Sequence, residues 1–361
     1  MNSTERILVA QTSFLGDVVL TTPLIAALRR RFPGAALAVL CTPRSKEILA
    51  GNPDIDEIIT LEKMRDGGRN ANLFAKAAEL RARRFTIAVS PHKSLRTALL
   101  LSLARIPLRI GFRQSAGWFL YHRRVDRDAT RHDVERNLSL VEALGVDASA
   151  CGRDLHIDTT ADVRHTVGRI FSDLGISDDR IVIGVNPGST WATKRWTVDG
   201  YAELCVALQR RHDAQVVLFG GPEDRDTVDA IIERTGGGVT SLVGHIGLKE
   251  LAAAIERCRV FVTNDSGPMH VAVARRVPVV AVFCATTPSL GFYPYSSRAV
   301  VVEKGLACRP CGSHGGQRCP LGTEDCMRLI KAEDVLAAVE PWLNEADAPL
   351  AETHQPRSMV V

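Results

Sequence analysis

Apolar residues fall along this chain in short runs that alternate with amphipathic stretches. The runs 6–11 (RILVAQ), 36–41 (ALAVLC), 55–61 (IDEIITL) and 86–90 (TIAVS) are brief, rich in β-branched residues and bounded by turn formers, so they read as strands. Between them, 17–32 (DVVLTTPLIAALRRRF) and 72–85 (NLFAKAAELRARRF) carry helical spacing, and SKEILAGNP reads as a short helix with a stop. The first helix ends at Pro33-Gly34. This strand–helix rhythm predicts a parallel sheet with helices on both faces.

The rhythm resumes near residue 180. Strands are expected at 181–187 (IVIGVNP), 214–221 (AQVVLFGG), 259–265 (RVFVTND) and 278–284 (PVVAVFC). Helices are expected at 198–212, 223–236, 247–258 and 266–276. A late helix over 332–346 is expected to be interrupted by Pro341, and the tail 347–361 to be disordered. The chain therefore reads as α/β, with two Rossmann-like doubly wound parallel-sheet domains, a boundary near 155–180 and an interdomain cleft. In such sheets ligands sit beyond the carboxyl ends of the strands.

Length and composition agree with this picture: 361 residues, 45% hydrophobic and 24% charged, suit two globular cores. No stretch approaches the ~20 apolar residues of a membrane span. The N-terminal MNSTERILVAQTS lacks a basic leader and a small-residue cleavage site, so a cytoplasmic protein is expected. Charge is uneven. Residues 1–150 hold 23 Lys and Arg against 15 Asp and Glu, and 151–361 hold 22 against 26, giving +8 and −4. Most of those charges are solvated surface, but a basic first half also suits an anionic acceptor or membrane face. With aromatics at 5% and no recognisable binding motif, nucleic acid is not expected as a partner.

Three strand-to-helix junctions carry candidate chemistry. In QTSFLGDVV (11–19) a carboxylate, Asp17, stands where a helix opens. A helix N-cap explains it simply. A general base also fits, kept ionised by the helix dipole. No G-x-G-x-x-G follows this strand, so the dinucleotide fingerprint is absent, which counts against a nucleotide-dependent oxidoreductase or epimerase. In NPGSTWATKRW (186–196), Ser189 and Thr190 offer hydroxyls and Lys194 and Arg195 offer cations, a combination suited to a diphosphate. Trp191 and Trp196 are unusual in an inert turn. In VFVTNDSGPMHVAVA (260–274), Asp265, Ser266 and Gly267 precede a helix start, where free N–H groups bind anions. His270, one turn inside, is expected to be a packed core residue. Glu223, after the Gly-Gly turn of FGGPEDRD, could accept from ribose hydroxyls or simply favour a helix start. The D-x-D pairs at 54/56, 126/128 and 224/226 do not follow strands as a metal–diphosphate site requires.

Nine cysteines divide into two groups. Cys41, Cys151, Cys205, Cys258 and Cys284 are scattered and read as small core residues. Cys308, Cys311, Cys319 and Cys326 cluster around His314; four thiolates there could bind a structural zinc ion, with reduced thiols or a disulfide as the alternatives. Such a role is expected to be structural and apart from the three junctions.

Taken in order and spacing, SFLGDVVLTTPL, NPGSTWATKRW, TNDSGPMHVAVA and CRPC with the following CPLG and CM resemble glycosyltransferase family 9, the lipopolysaccharide heptosyltransferases, and within it those of type II. The resemblance spans about residues 5–340. It implies a GT-B fold with an acceptor-binding domain over 1–165, a nucleotide-sugar domain over 175–330 and a C-terminal helix, 331–346, packing back toward the first domain. It implies ADP-heptose as donor and an anionic heptosyl-Kdo-lipid A acceptor. Modification would take place at the cytoplasmic face of the inner membrane, with the enzyme bound peripherally. Catalysis would be inverting, with no cofactor or metal required. By position, Asp17 matches the family's proposed base, Lys194 the lysine on the donor phosphates, and Ser189 and Thr190 the phosphate-binding hydroxyls. Asp265, Ser266 and Gly267 match the donor loop; Ile246 falls near the adenine and Glu223 near the ribose. Thr197 stands where the family often has proline, and 286–300 follows the family pattern loosely. A non-catalytic glycan-binding module is the remaining alternative, against which Asp17 and Lys194 both speak.

Overall fold

The computed structural model describes residues 5–62, 69–177, 179–344 and 354–361. They form two compact units, split between Asp158 and Thr159. The boundary lies earlier than an end of the first domain at 165. The helix Ala161–Asp173 belongs to the second unit and packs on the helix Leu248–Glu256 there.

The first unit is built on six parallel strands: β1 (Arg6–Ala10), β2 (Ala36–Cys41), β3 (Glu57–Thr60), β4 (Ile87–Ser90), β5 (Leu108–Phe112) and β6 (Arg123–Val125). Their order is β3-β2-β1-β4-β5-β6, which reverses between β1 and β4. That reversal is the switch point at which doubly wound sheets open a crevice. Helices cover both faces, so β1 and β2 bury nearly every side chain, which is why the strands read as continuous apolar runs. Leu8, Leu40, Ile59, Leu80, Ala88 and Leu101 share one core.

The second unit repeats the plan with β7 (Val182–Asn186), β8 (Gln215–Leu218), β9 (Val239–Ser241), β10 (Val260–Asn264), β11 (Val279–Phe283), β12 (Ala299–Glu303) and β13 (Arg357–Val360). The order β13-β12-β11-β10-β7-β8-β9 places its switch point between β7 and β10. All pairings in both sheets are parallel, as expected.

Several elements differ from expectation, for identifiable reasons. The helix over 17–32 is two helices, Leu15–Val19 and Thr22–Arg31. Pro23 sits in the first turn of the second, where its missing N–H costs nothing. Conversely, Pro341 does not interrupt the late helix, which runs through it from Ala332 to Asn344. Val335, Leu336, Val339 and Trp342 of that helix are buried in the second unit's own core against Leu204, Val262 and Val280. The tail expected to be disordered includes β13, whose residues Arg357–Val360 pair with Val300–Glu303. The free edge of β12 supplies the backbone partners, and Met359 and Val361 pack on the core. The rest of the expected tail, up to residue 353, lies outside the described residues. Strands β5, β6, β9 and β12 add to those expected.

Candidate functional site

In the first unit, the chain leaves β1 and enters the helix Leu15–Val19 beside the loop that follows β4. Asp17 is the third residue of that helix, not its N-cap; Phe14 holds the cap position. The Asp17 carboxylate reaches back to accept from Phe14 N at 3.1 Å and from Ser13 Oγ at 2.7 Å. Burial, and then the nearby Asp133 carboxylate, raise its pKa to about 6, against the pull of Ser13, Phe14 and Arg127. The helix dipole was expected to keep the group a weak, ionised base. Desolvation outweighs the dipole and makes it a stronger one.

Asp133 is buried at the start of the helix Asp133–Ser139 and is held by the Arg127 guanidinium, with Arg136 at 3.7 Å and Asn137 donating at 3.2 Å. Lys93, in the loop after β4, is electrostatically coupled to this group. Burial and then Arg127 push its ammonium below the usual lysine range, while Asp133 and Asp17 pull it up. Thr12, His92 and Thr97 complete the crevice with mutual hydrogen bonds of 3.0 to 3.3 Å. Sequence reasoning missed Lys93, Arg127 and Asp133, because their proximity to Asp17 arises only in the folded sheet.

In the second unit, the loops after β7, β8, β10 and β11 meet at one edge. Lys194 Nζ lies 2.6 Å from Asp265 Oδ2, with both side chains largely buried. Thr286 Oγ1 donates to the same oxygen at 2.7 Å. Asp265 therefore orients the cation, and Ser189 Oγ lies at 3.5 Å from its carbonyl oxygen. Arg195 turns away from a ligand role, donating from Nε to Ser189 O at 2.7 Å and closing the loop. Beneath, Asn186 Nδ2 donates to Gly188 O, Thr263 Oγ1 and Ser266 Oγ. Asn264 donates to Pro187 O and accepts from Trp196 N and Tyr201 Oη. These buried amides lock the loops after β7 and β10 together.

Gly188 permits the closest approach: a Cβ there would lie 2.3 Å from the Asp224 carboxylate, which also accepts from Gly221 N at 3.0 Å. Asp224, not the exposed Glu223, thus secures the loop after β8. Glu223 and the half-buried Ile246 stand on the loops after β8 and β9. Thr190 is exposed, and Ser266 and Gly267 open the helix Gly267–Ala274 with Pro268 in its first turn. His270 is buried, as expected of a packed residue, and burial lowers its pKa to about 4, leaving it neutral at physiological pH. Trp196 is likewise a core residue, its indole donating to Ile330 O at 3.0 Å.

The cysteine segment does not lie apart from these loops. Gly316 N donates to Thr193 Oγ1 at 2.8 Å, and Thr193 N and Oγ1 donate back to Gly316 O at 3.0 and 2.9 Å. Gln317 bonds Thr190 O and Ala192 N, Cys311 N donates to Ala285 O, and His314 stacks on Trp191. The segment buttresses the Ser189–Lys194 loop through backbone groups and through the Gln317 and His314 side chains. Its thiols are free. Among the described residues no three or more His, Cys, Asp or Glu side chains are grouped to hold a metal ion, although the Cys308, Cys311, Cys319 and Cys326 thiols lie near enough to influence one another electrostatically. Burial raises Cys326 to about 11, whereas backbone N–H groups, that of Glu324 foremost, hold Cys319 below the usual thiol range.

Comparison with known proteins now adds to the geometry. Residues 73–318 match the model of glycosyltransferase family 9 (heptosyltransferase). The chain is 30% identical over 352 residues to lipopolysaccharide heptosyltransferase 3 of Escherichia coli K12, covering 93% of this chain and 97% of that protein. It is 30% identical over 309 residues to lipopolysaccharide heptosyltransferase 2 of Salmonella typhimurium, covering 82% and 88%. Its fold is similar to that of the E. coli ADP-heptose lps heptosyltransferase II, with a TM-score of 0.76, 27% identity, and coverage of 94% and 98%.

Proposed function

Since this chain belongs to glycosyltransferase family 9, the heptosyltransferases, and has the two parallel-sheet units of a GT-B enzyme, we propose that it moves L-glycero-D-manno-heptose from ADP-heptose to heptosyl-Kdo-lipid A, with inversion, in lipopolysaccharide core assembly. The observation that carries this reading is the Lys194–Asp265 pair, 2.6 Å apart at the switch point of the second sheet. It is a preorganised cation where the negative charge of a leaving diphosphate develops.

In the proposed reaction Asp17 accepts the proton of an acceptor hydroxyl as that oxygen attacks the anomeric carbon. The bond from that carbon to the diphosphate oxygen breaks, and ADP departs with the electron pair from the opposite face. Lys194, Ser189, Thr190 and the N–H groups at Ser266 and Gly267 stabilise the departing charge, with no divalent ion required. Ile246 would meet the adenine and Glu223 the ribose. The pKa of about 6 lets Asp17 be ionised at neutral pH yet basic enough to help. No described helix is long and apolar enough to cross a membrane. The lipid-linked acceptor therefore calls for peripheral contact with the cytoplasmic face of the inner membrane.

A second acceptor is favoured by one observation: the match to a heptosyltransferase 3 covers 93% of the chain, against 82% for the heptosyltransferase 2 above. In that case the acceptor would already carry two heptoses. One experiment tests both readings. The chain is given a panel of nucleotide-sugars with truncated acceptors bearing one or two heptoses, and nucleotide release is followed. ADP-heptose alone should support turnover, with the one-heptose acceptor. Turnover confined to the two-heptose acceptor selects the second reading, and turnover only with other nucleotide-sugars refutes both.

A further inference from the structure

The first unit carries an apolar surface that the chemistry above does not use. Of the nine large hydrophobic side chains most exposed among the described residues, four come from two adjoining elements: Leu95 and Leu99, and Trp118 and Phe119. Leu95 and Leu99 are one helical turn apart on the helix Leu95–Leu103, so they share a face. Trp118 and Phe119 open the short 3-10 turn Trp118–Leu120, their rings edge to face at 6.1 Å. Gly117 joins the two elements. A Cβ there would lie 2.4 Å from Ala98 Cβ and 3.4 Å from Leu95, so the turn is seated directly on the helix and the four side chains form one patch. At 45% and 57% exposure, Trp118 and Phe119 are its most protruding rings together with Leu95 at 47%. Monomeric proteins seldom leave such a cluster to water without a use for it.

Its electrostatic setting says what would cover it. From residue 93 to 125 the chain holds seven Lys and Arg and no Asp or Glu. The Arg124 guanidinium lies over the Trp118 ring, 4.9 Å from its centroid, which places a cation at the edge of the apolar surface. Lys93 stands two residues before Leu95, and its backbone carbonyl accepts from Ala116 N at 3.0 Å, tying the cationic loop to the patch. Exposed aromatic and leucine side chains with an arginine at their edge match the boundary between acyl chains and anionic headgroups, where the apolar groups insert and the cation meets lipid phosphates. Thr97, on the same helix as Leu95 and Leu99, bonds Thr12 of the crevice at 3.3 Å between hydroxyls, and Lys93 is coupled electrostatically to Asp17, so the patch shares its helix with the crevice assigned to the acceptor.

We infer that Leu95, Leu99, Trp118 and Phe119, with Arg124 at their rim, form the surface by which this protein docks on an anionic lipid bilayer. The inference rests on the proposed function in that it presents the first unit to a lipid-linked acceptor. Its test does not require turnover. The full chain is sedimented with phosphatidylcholine vesicles, with and without phosphatidylglycerol. It should bind the anionic vesicles, lose binding as salt is raised, and show a blue-shifted tryptophan emission when bound. The double variant Trp118→Ser/Phe119→Ser should bind roughly 10-fold more weakly or worse, the loss expected from withdrawing two buried rings. Arg124→Glu should weaken binding most at low salt. With a water-soluble truncated acceptor, the double variant should keep wild-type kcat/KM, which shows that its fold is intact.

Undiminished vesicle binding by the double variant overturns the inference, as does failure of the wild-type chain to bind anionic vesicles. So does a concentration-dependent dimer that the double variant abolishes, since the patch would then be covered by a second copy. If vesicle binding follows the patch but no nucleotide-sugar is turned over, the docking surface stands and the transferase reading falls. If soluble acceptor is turned over without patch-dependent binding, the reverse holds.

Discussion

The raised pKa of Asp17 has a consequence large enough to measure in two independent ways. A carboxylate with its ordinary value of 3.8 would be about 94% ionised at pH 5, whereas one at about 6 is only about 9% ionised there. If Asp17 is the base, kcat/KM at pH 5 should fall to about one tenth of its neutral plateau, with an acid limb near pH 6. The same shift carries a stability cost. The native state holds the Asp17 proton more tightly than the unfolded chain does. Stability is therefore full below the unfolded value and declines as pH rises from about 4 to 6. From 3.8 to about 6 the loss is about 3 kcal/mol. Asp17→Asn removes the ionisation while leaving an oxygen to accept from Ser13 or Phe14. It should abolish most activity yet melt roughly 5 °C or more above wild type at pH 7.5, with the difference vanishing near pH 4. The assays are ADP release across pH 4.5–8.5 and thermal melts at both pH values. An acid limb below pH 4.5, or an Asn variant no more stable than wild type at pH 7.5, would refute the account of Asp17 as a desolvated base.

Two further outcomes follow from the donor side. Lys194→Ala should lower kcat by on the order of 10²-fold or more, because it removes a preorganised donor from the developing diphosphate charge; ADP release at saturating substrates measures it. Thr193→Val should weaken ADP binding by roughly 10-fold in calorimetry, because it unpairs Gly316 N–H and frees the Ser189–Lys194 loop from its buttress; unchanged affinity would show that the cysteine segment does not support the loop.

How far the sequence could be read depended on the range of the interaction concerned. Strands such as β1, β2, β10 and β11 are legible because a sheet covered on both faces demands unbroken apolar runs. β6 (RRV) lies at a sheet edge and carries its arginines to solvent, so no apolar run marks it. β13 depends on an edge offered by β12 more than fifty residues earlier. Asp17, Ser189, Lys194, Asp265 and Ser266 were visible because each stands where a strand gives way to a loop or helix. Their partners were not: Thr286 reaches Asp265 across 21 residues, and Asp133 reaches Asp17 only after β4, β5 and β6 are in place. The link between Thr193 and Gly316 spans 123 residues, and on the Gly316 side it uses backbone groups alone, which leave no trace in side-chain identity.

Both sheets run in the same spatial sequence of first three strands reversed and next three in order, with β13 added at one margin of the second. Each half of the molecule thus owns a complete crevice whose lining comes from its own loops. Under the proposed function, variation behind β1 and β4 would redirect which hydroxyl is sugared without disturbing the groups that hold the nucleotide, and variation behind β7 and β10 would exchange the sugar carrier without altering the base. Such separability lets a lineage change one specificity at a time, each step leaving a working catalyst.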